Sequence, residues 1–102
     1  MSNPSKRKGD QFERDVVAAF AEHGLLARKM PFSGALGGNW SGDVHVPVRG
    51  EDRKLECKRR ARAFGTIYGW LGQNYGLVVK DDRCPPLVVL RLEDFAKLSR
   101  LV

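Results

Sequence analysis

Apolar and polar positions recur along this chain with two periods, and the switches between them mark its elements. Between Gly9 and His23, Phe12, Val16, Ala19 and Phe20 fall at i, i+4, i+7 and i+8, the stripe of an amphipathic helix. Gly24 supplies the stop, because glycine adopts the left-handed conformation that closes helices. Residues 25–30 read as a first strand, closed by Pro31. The runs Asp43, Val44, His45, Val46 and Leu55, Glu56, Cys57, Lys58 alternate with period two, as half-buried strands do. Arg49, Gly50, Glu51 and Asp52 are turn residues between them, so strands over about 43–48 and 53–60 form a hairpin. Helical spacing returns over 64–73 with Phe64, Ile67, Tyr68 and Leu71, weakened by Gly65, Gly69 and Gly72. Residues 77–79 are a short apolar run, typical of a central strand buried on both faces. After turn chemistry over 81–86 comes a last strand, 87–90. A last helix over 92–101 then places Phe95, Leu98 and Leu101 on one face, with Glu93 and Asp94 in its first turn.

The order α-β-β-β-α-β-β-α predicts an α/β fold. The hairpin strands are antiparallel, whereas the helix crossing to 77–79 implies a parallel neighbour. The expectation is a central mixed five-stranded sheet flanked by helices. Residues 1–8 read as a flexible basic arm or frayed first turn, since Lys6, Arg7 and Lys8 repel one another and bury nothing. No repeat or linker divides 9–102, which is expected to be a single domain. The glycine-rich stretch from Phe32 to Ser41 reads as a mobile loop. Its Trp40 either lies against DNA or packs as a plug beneath the loop.

Composition adds a partner class. Eighteen Lys and Arg against twelve Asp and Glu give a formal charge of +6, which favours a polyanion such as nucleic acid. A chain of 102 residues with 42% hydrophobic side chains suits one modest core. Cys57 and Cys84 form no CxxC pair and read as free thiols in a reducing cytoplasm. No secretory segment or apolar span of about 20 residues occurs, so no membrane association is expected. The expected location is cytoplasmic, on the nucleoid when bound to DNA.

Candidate chemistry centres on the second alternating run. Positions i and i+2 of a strand share a face, so Glu56 and Lys58 lie together, and pairing of the two strands brings Asp43 beside Glu56. Two carboxylates and an ammonium on a solvent face suit a hard cation such as Mg²⁺. Glu13 lies beside the helical stripe, can reach a neighbouring sheet, and has Val17 at i+4 rather than a cation. Exposed strand edges also carry Lys and Glu merely for solubility. The triplet alone therefore decides nothing.

Taken together, Lys8 and Gly9, then Phe12, Glu13 and Arg14, Ser33, Gly34 and Ala35, Gly42 and Asp43, and finally Glu56, Cys57 and Lys58 carry a combined pattern. In order and spacing, over roughly the first 60 residues, it resembles the PD-(D/E)xK nuclease superfamily, most closely its archaeal-type Holliday junction resolvase branch. The resemblance implies a restriction-endonuclease-like core, with 9–102 as the nuclease domain. It implies a metal-dependent, structure-selective endonuclease of recombination and repair. Such an enzyme resolves four-way junctions by paired phosphodiester hydrolysis as a homodimer. Asp43 and Glu56 would hold Mg²⁺, with Mn²⁺ able to substitute, assisted by the backbone carbonyl of Cys57. Glu13 would complete the acidic cluster or serve a second ion, and Lys58 would orient the attacking water. Ser33 would sit near the scissile phosphate or cap its glycine turn. Lys6, Arg7, Lys8, Arg14, Ser33, Trp40, Arg59, Arg60 and Arg62 would contact DNA. His45, on the same face as Asp43, could contact phosphate or a metal-bound water, although a lone strand histidine is more often a bystander. The stretch around Tyr68, Trp70 and Leu71 departs from the family pattern. The competing readings are a less selective phage-like or repair endonuclease with the same site, and a non-catalytic basic DNA-binding module.

Overall fold

The computed structural model describes residues 4–30 and 43–101, with side chains from Arg7 onward. Helix α1 spans Pro4–Glu22. It begins at a proline, whose missing N–H has no partner in a first turn anyway. The backbone of Lys6, Arg7 and Lys8 is thus helical, and the expected division at residue 8 falls inside the helix. At the other end Gly24 has φ 80°. Its N–H donates to Ala21 O, and Leu25 N–H donates to Phe20 O, both at 3.0 Å. This double closure satisfies carbonyls that the helix leaves over, and it buries Leu25 beside Phe20.

That closure also shortens the first strand. Leu25 N–H is taken by the helix and Ala27 N–H by Leu25 O, so β1 is only Arg28–Lys29. β2 is Val44–Val48 and β3 is Glu51–Leu55. They form an antiparallel sheet in the order β1-β2-β3, with Val44 opposite Leu55 and Val48 opposite Glu51. The turn is two residues, Arg49 and Gly50, with φ 53° and 85°. Positive φ at both positions matches the twist of the flanking strands. Arg49 is held there by its N–H to Ser99 O (2.6 Å) and its Nη1 to Arg100 O (2.8 Å).

The remaining elements are α2 (Gly65–Leu71), β4 (Gly76–Val79), β5 (Leu87–Leu90) and α3 (Leu92–Ser99). Val44 and Val46 of β2 pack with Val16 and Phe20 of α1, Leu25, and Ala96 of α3 to form the buried core. Phe20 and Phe95 meet edge to face with centroids 6.2 Å apart, a geometry that aromatic quadrupoles favour.

The element order agrees with expectation, but the single mixed sheet does not. β4 pairs antiparallel with β5 in a separate two-stranded sheet, with Val78 opposite Val88. A short turn makes that pairing local, with little loop entropy lost. Joining β3 would require the charged segment after Leu55 to give up water. Instead, an apolar cleft of about 620 Å³, lined by Phe12, Val16, Leu55, Ile67, Leu71 and Leu90 among others, lies between α1, α2 and β5. β4 is accordingly not a strand buried on both faces, since Val78 is 70% exposed. α3 also turns differently: Ala96 and Ser99 are buried, whereas Leu98 and Leu101 are exposed. Ser99 hides its hydroxyl by donating to Phe95 O at 2.7 Å.

Candidate active site

Asp43 stands at the entry to β2, where its N–H donates to Leu55 O at 3.1 Å. The strand expected through residue 60 ends at Leu55, and the cause lies in Asp43. Its Oδ2 accepts the N–H of Cys57 at 2.8 Å, so a carboxylate replaces the carbonyl that a continuing ladder would offer. The regular ladder ends at the Val44–Leu55 pair, and Asp43 bonds back to Leu55 rather than extending the register to Glu56. Both carboxylates lie at the frayed end of the hairpin, where their charges act on Cys57.

Lys58 reaches back to Glu56, with Nζ 3.0 Å from Oε1 and both side chains 56% exposed. Glu13 is buried, on the same side of α1 as Val16 and Phe20 rather than beside their stripe. Cys57 is half-buried and reports on all three acids. Burial first, then the charges of Asp43, Glu13 and Glu56, push its thiol up to about 11. Among the described residues no three His, Cys, Asp or Glu side chains stand close enough together to enclose a metal ion. Mg²⁺, however, is commonly held by one or two carboxylates with water filling the rest. Asp43 and Glu56 supply hard oxygen donors, and a backbone N–H orients Asp43 as ligand carboxylates usually are. The chemistry of these two donors suits such an ion.

His45 is buried, and its Nδ1 lies 2.9 Å from Asp52 Oδ2. Arg28 Nη2 meets the same oxygen at 3.0 Å. The His45 hydrogen bond chiefly, against some desolvation and with help from Arg28, holds the Asp52 carboxyl below its usual range. The ring expected to face phosphate is thus tied to β3. This trio joins three strands across the sheet, and no local spacing foretells it.

Of the expected DNA contacts, Arg7, Lys8 and Arg14 are exposed on α1. Arg59, Arg60 and Arg62 are exposed after Lys58 and line a cleft with it. Ser33, Trp40 and the side chain of Lys6 lie outside the described residues.

A family model described as archaeal Holliday junction resolvase (Hjc) matches residues 4–84, from the start of α1 past the end of β4. The chain belongs to the archaeal Holliday junction resolvase family. No curated protein and no solved structure matches it significantly. The resolvase family makes this a metal-dependent endonuclease of four-way junctions, active in recombination and repair. β5 and α3 lie outside or beyond the matched residues, yet α3 completes the core through Ala96. No helix among the described residues is long and apolar enough to cross a membrane.

Proposed function

We propose that this resolvase holds one Mg²⁺ ion on Asp43 and Glu56 and cuts a junction as a homodimer. The reading is supported by the Asp43 carboxylate, which is fixed by Cys57 N–H at 2.8 Å, and by the charges of Asp43, Glu13 and Glu56, which all act on Cys57. The chemistry such an ion supplies is polarisation of a phosphoryl oxygen and a lowered pKa for water. Asp43 and Glu56 bind and orient the ion. The Asp43 hydrogen bond also fixes the Cys57 peptide N–H, next to the Cys57 carbonyl that would serve as a further oxygen ligand. Glu13 adds negative charge from the buried side, which raises the affinity for a cation. Lys58 holds an ammonium beside Glu56, where it orients water and offsets charge developing on the phosphate. Arg7, Lys8, Arg14, Arg59, Arg60 and Arg62 bind backbone phosphates. The workplace is cellular DNA, in the cytoplasm and nucleoid.

Two symmetry-related nicks require two sites about a two-fold axis, which a homodimer provides. An isolated two-stranded sheet is marginal in water. β4 and β5 expose Val78, Leu87 and Val88, and Tyr75 beside them is 59% exposed. Apolar surface of this kind is what an association buries, which supports a second copy there.

The test is cleavage of an immobile four-way junction and of linear duplex, with Mg²⁺ or chelator, by wild-type protein, Asp43→Asn and Glu56→Gln. Loss of outer-shell partners alone costs about 10–100-fold, so each ligand variant should lose at least about 100-fold in rate. Paired junction nicks should disappear with chelator while junction binding persists. Wild-type rates in either variant would remove that residue from the metal site.

A further inference from the structure

Beside the carboxylate pair, the segment after β3 and the first turn of α2 enclose a second cleft, of about 870 Å³. Its lining includes Lys58, Arg59, Arg60, Arg62, Phe64 and Tyr68, with Asp15 its one acidic residue among those described. Four cations face one carboxylate, and that carboxylate already accepts a hydrogen bond from Gln11 at 2.8 Å. Arg59 and Arg62 have no acidic partner among the described residues. Tyr68 is 75% exposed, whereas Leu71 of the same helix is buried. Phe64 and Tyr68 are four residues apart, joined by Tyr68 N–H to Phe64 O at 3.0 Å, so their rings lie along one side of the helix turn.

We propose that this cleft takes an unstacked nucleotide adjoining the scissile phosphate, with its base on the Tyr68 ring and its phosphates on Arg59 and Arg62. The inference rests on the Asp43–Glu56 reading above, because Lys58 belongs to both places: its ammonium meets Glu56, and its side chain lines the cleft mouth. A strand with its phosphate at the carboxylates therefore leads into the cleft. Cationic grooves with aromatic platforms hold single strands, since every base has a π-face to stack. Bases inside a duplex have both faces covered and cannot use Tyr68. Extrusion is cheapest where pairing and stacking are already weakened, as at a branch point. Tyr68 thereby favours a junction over continuous duplex.

The experiment measures affinity in chelator, where no cleavage occurs, for a four-way junction and for a duplex of one arm's sequence. The proteins are the wild type, Tyr68→Phe, Tyr68→Ala and Tyr68→Leu, each checked for wild-type circular dichroism. Losing one stacked base should weaken junction binding about 10-fold or more in the Ala and Leu variants, with duplex binding changed less than about twofold and the Phe variant like wild type. A 2-aminopurine at the branch point should change fluorescence on binding wild type and Tyr68→Phe, and not on binding Tyr68→Ala. Unchanged junction affinity in folded Tyr68→Ala or Tyr68→Leu, or equal loss on junction and duplex, would overturn the inference. If cleavage still requires Asp43 in that case, the metal-site reading stands and the stacking site alone fails. Cleavage independent of Asp43 and Glu56 would instead sink the metal-site reading, whatever Tyr68 does.

Discussion

At Cys57 a thiolate would form half-buried and close to Asp43, Glu13 and Glu56, which is why its proton is held so tightly. Alkylation by iodoacetamide, which needs the thiolate, should rise with pH toward a midpoint near 11 in the wild type. Asp43→Asn and Glu13→Gln each remove a negative charge, so both midpoints should move down and labelling at pH 9 should quicken. Peptide mass spectrometry separates Cys57 from the exposed Cys84, which serves as a labelling control. Midpoints unmoved in both variants would show that the carboxylates do not converge on the sulfur. Glu13, Asp43, Glu56 and Lys58 could be singled out from the sequence only in combination, since Glu and Lys at strand spacing also serve solubility. The partner of Asp43 was not legible, since the peptide N–H of Cys57 leaves no mark in a side-chain pattern. Nor was the tie between His45 and Asp52, for the same face also carries Asp43.

At the scale of elements, boundaries follow from where backbone groups find partners. Gly24 ends α1 with φ 80°, a conformation that costs a residue with a Cβ about 1–2 kcal/mol. Gly24→Ala should lower the thermal midpoint by at least about 4 °C. Gly9 lies within α1, where an added Cβ would meet nothing within 4 Å. Gly9→Ala should therefore raise stability by about 0.5–1 kcal/mol. Opposite shifts in melting temperature check both, and a Gly24→Ala melting curve equal to wild type would deny the helix closure its role. The stop at Gly24 was readable in sequence for this reason. The end of β3 was not, because it depends on a carboxylate fourteen residues upstream of Cys57 taking the ladder's next donor.

For the molecule as a whole, the division into two sheets leaves β4 and β5 with apolar side chains in water. Val88→Asp introduces a charge opposite Val78 without touching the core that α1, β2 and α3 build. Wild-type protein should sediment as a dimer, and Val88→Asp should shift toward monomer at the same concentration. Paired nicks should then give way to single ones. A wild type that sediments as a monomer and still nicks in pairs would rule out the homodimer.

The sequence by itself determined the order of the elements among the described residues and the helix stop at Gly24. These depend on periods of 3.6 and 2 and on hairpin pairing, which covalent geometry imposes over short spans. Tertiary structure alone decided that the strands form two sheets, that Ala96 and Ser99 rather than Leu98 and Leu101 face the core, and that Tyr68 stands beside the arginines. Each of those outcomes weighs the burial of surfaces distant in sequence against leaving them in water. No local pattern contains both sides of that comparison.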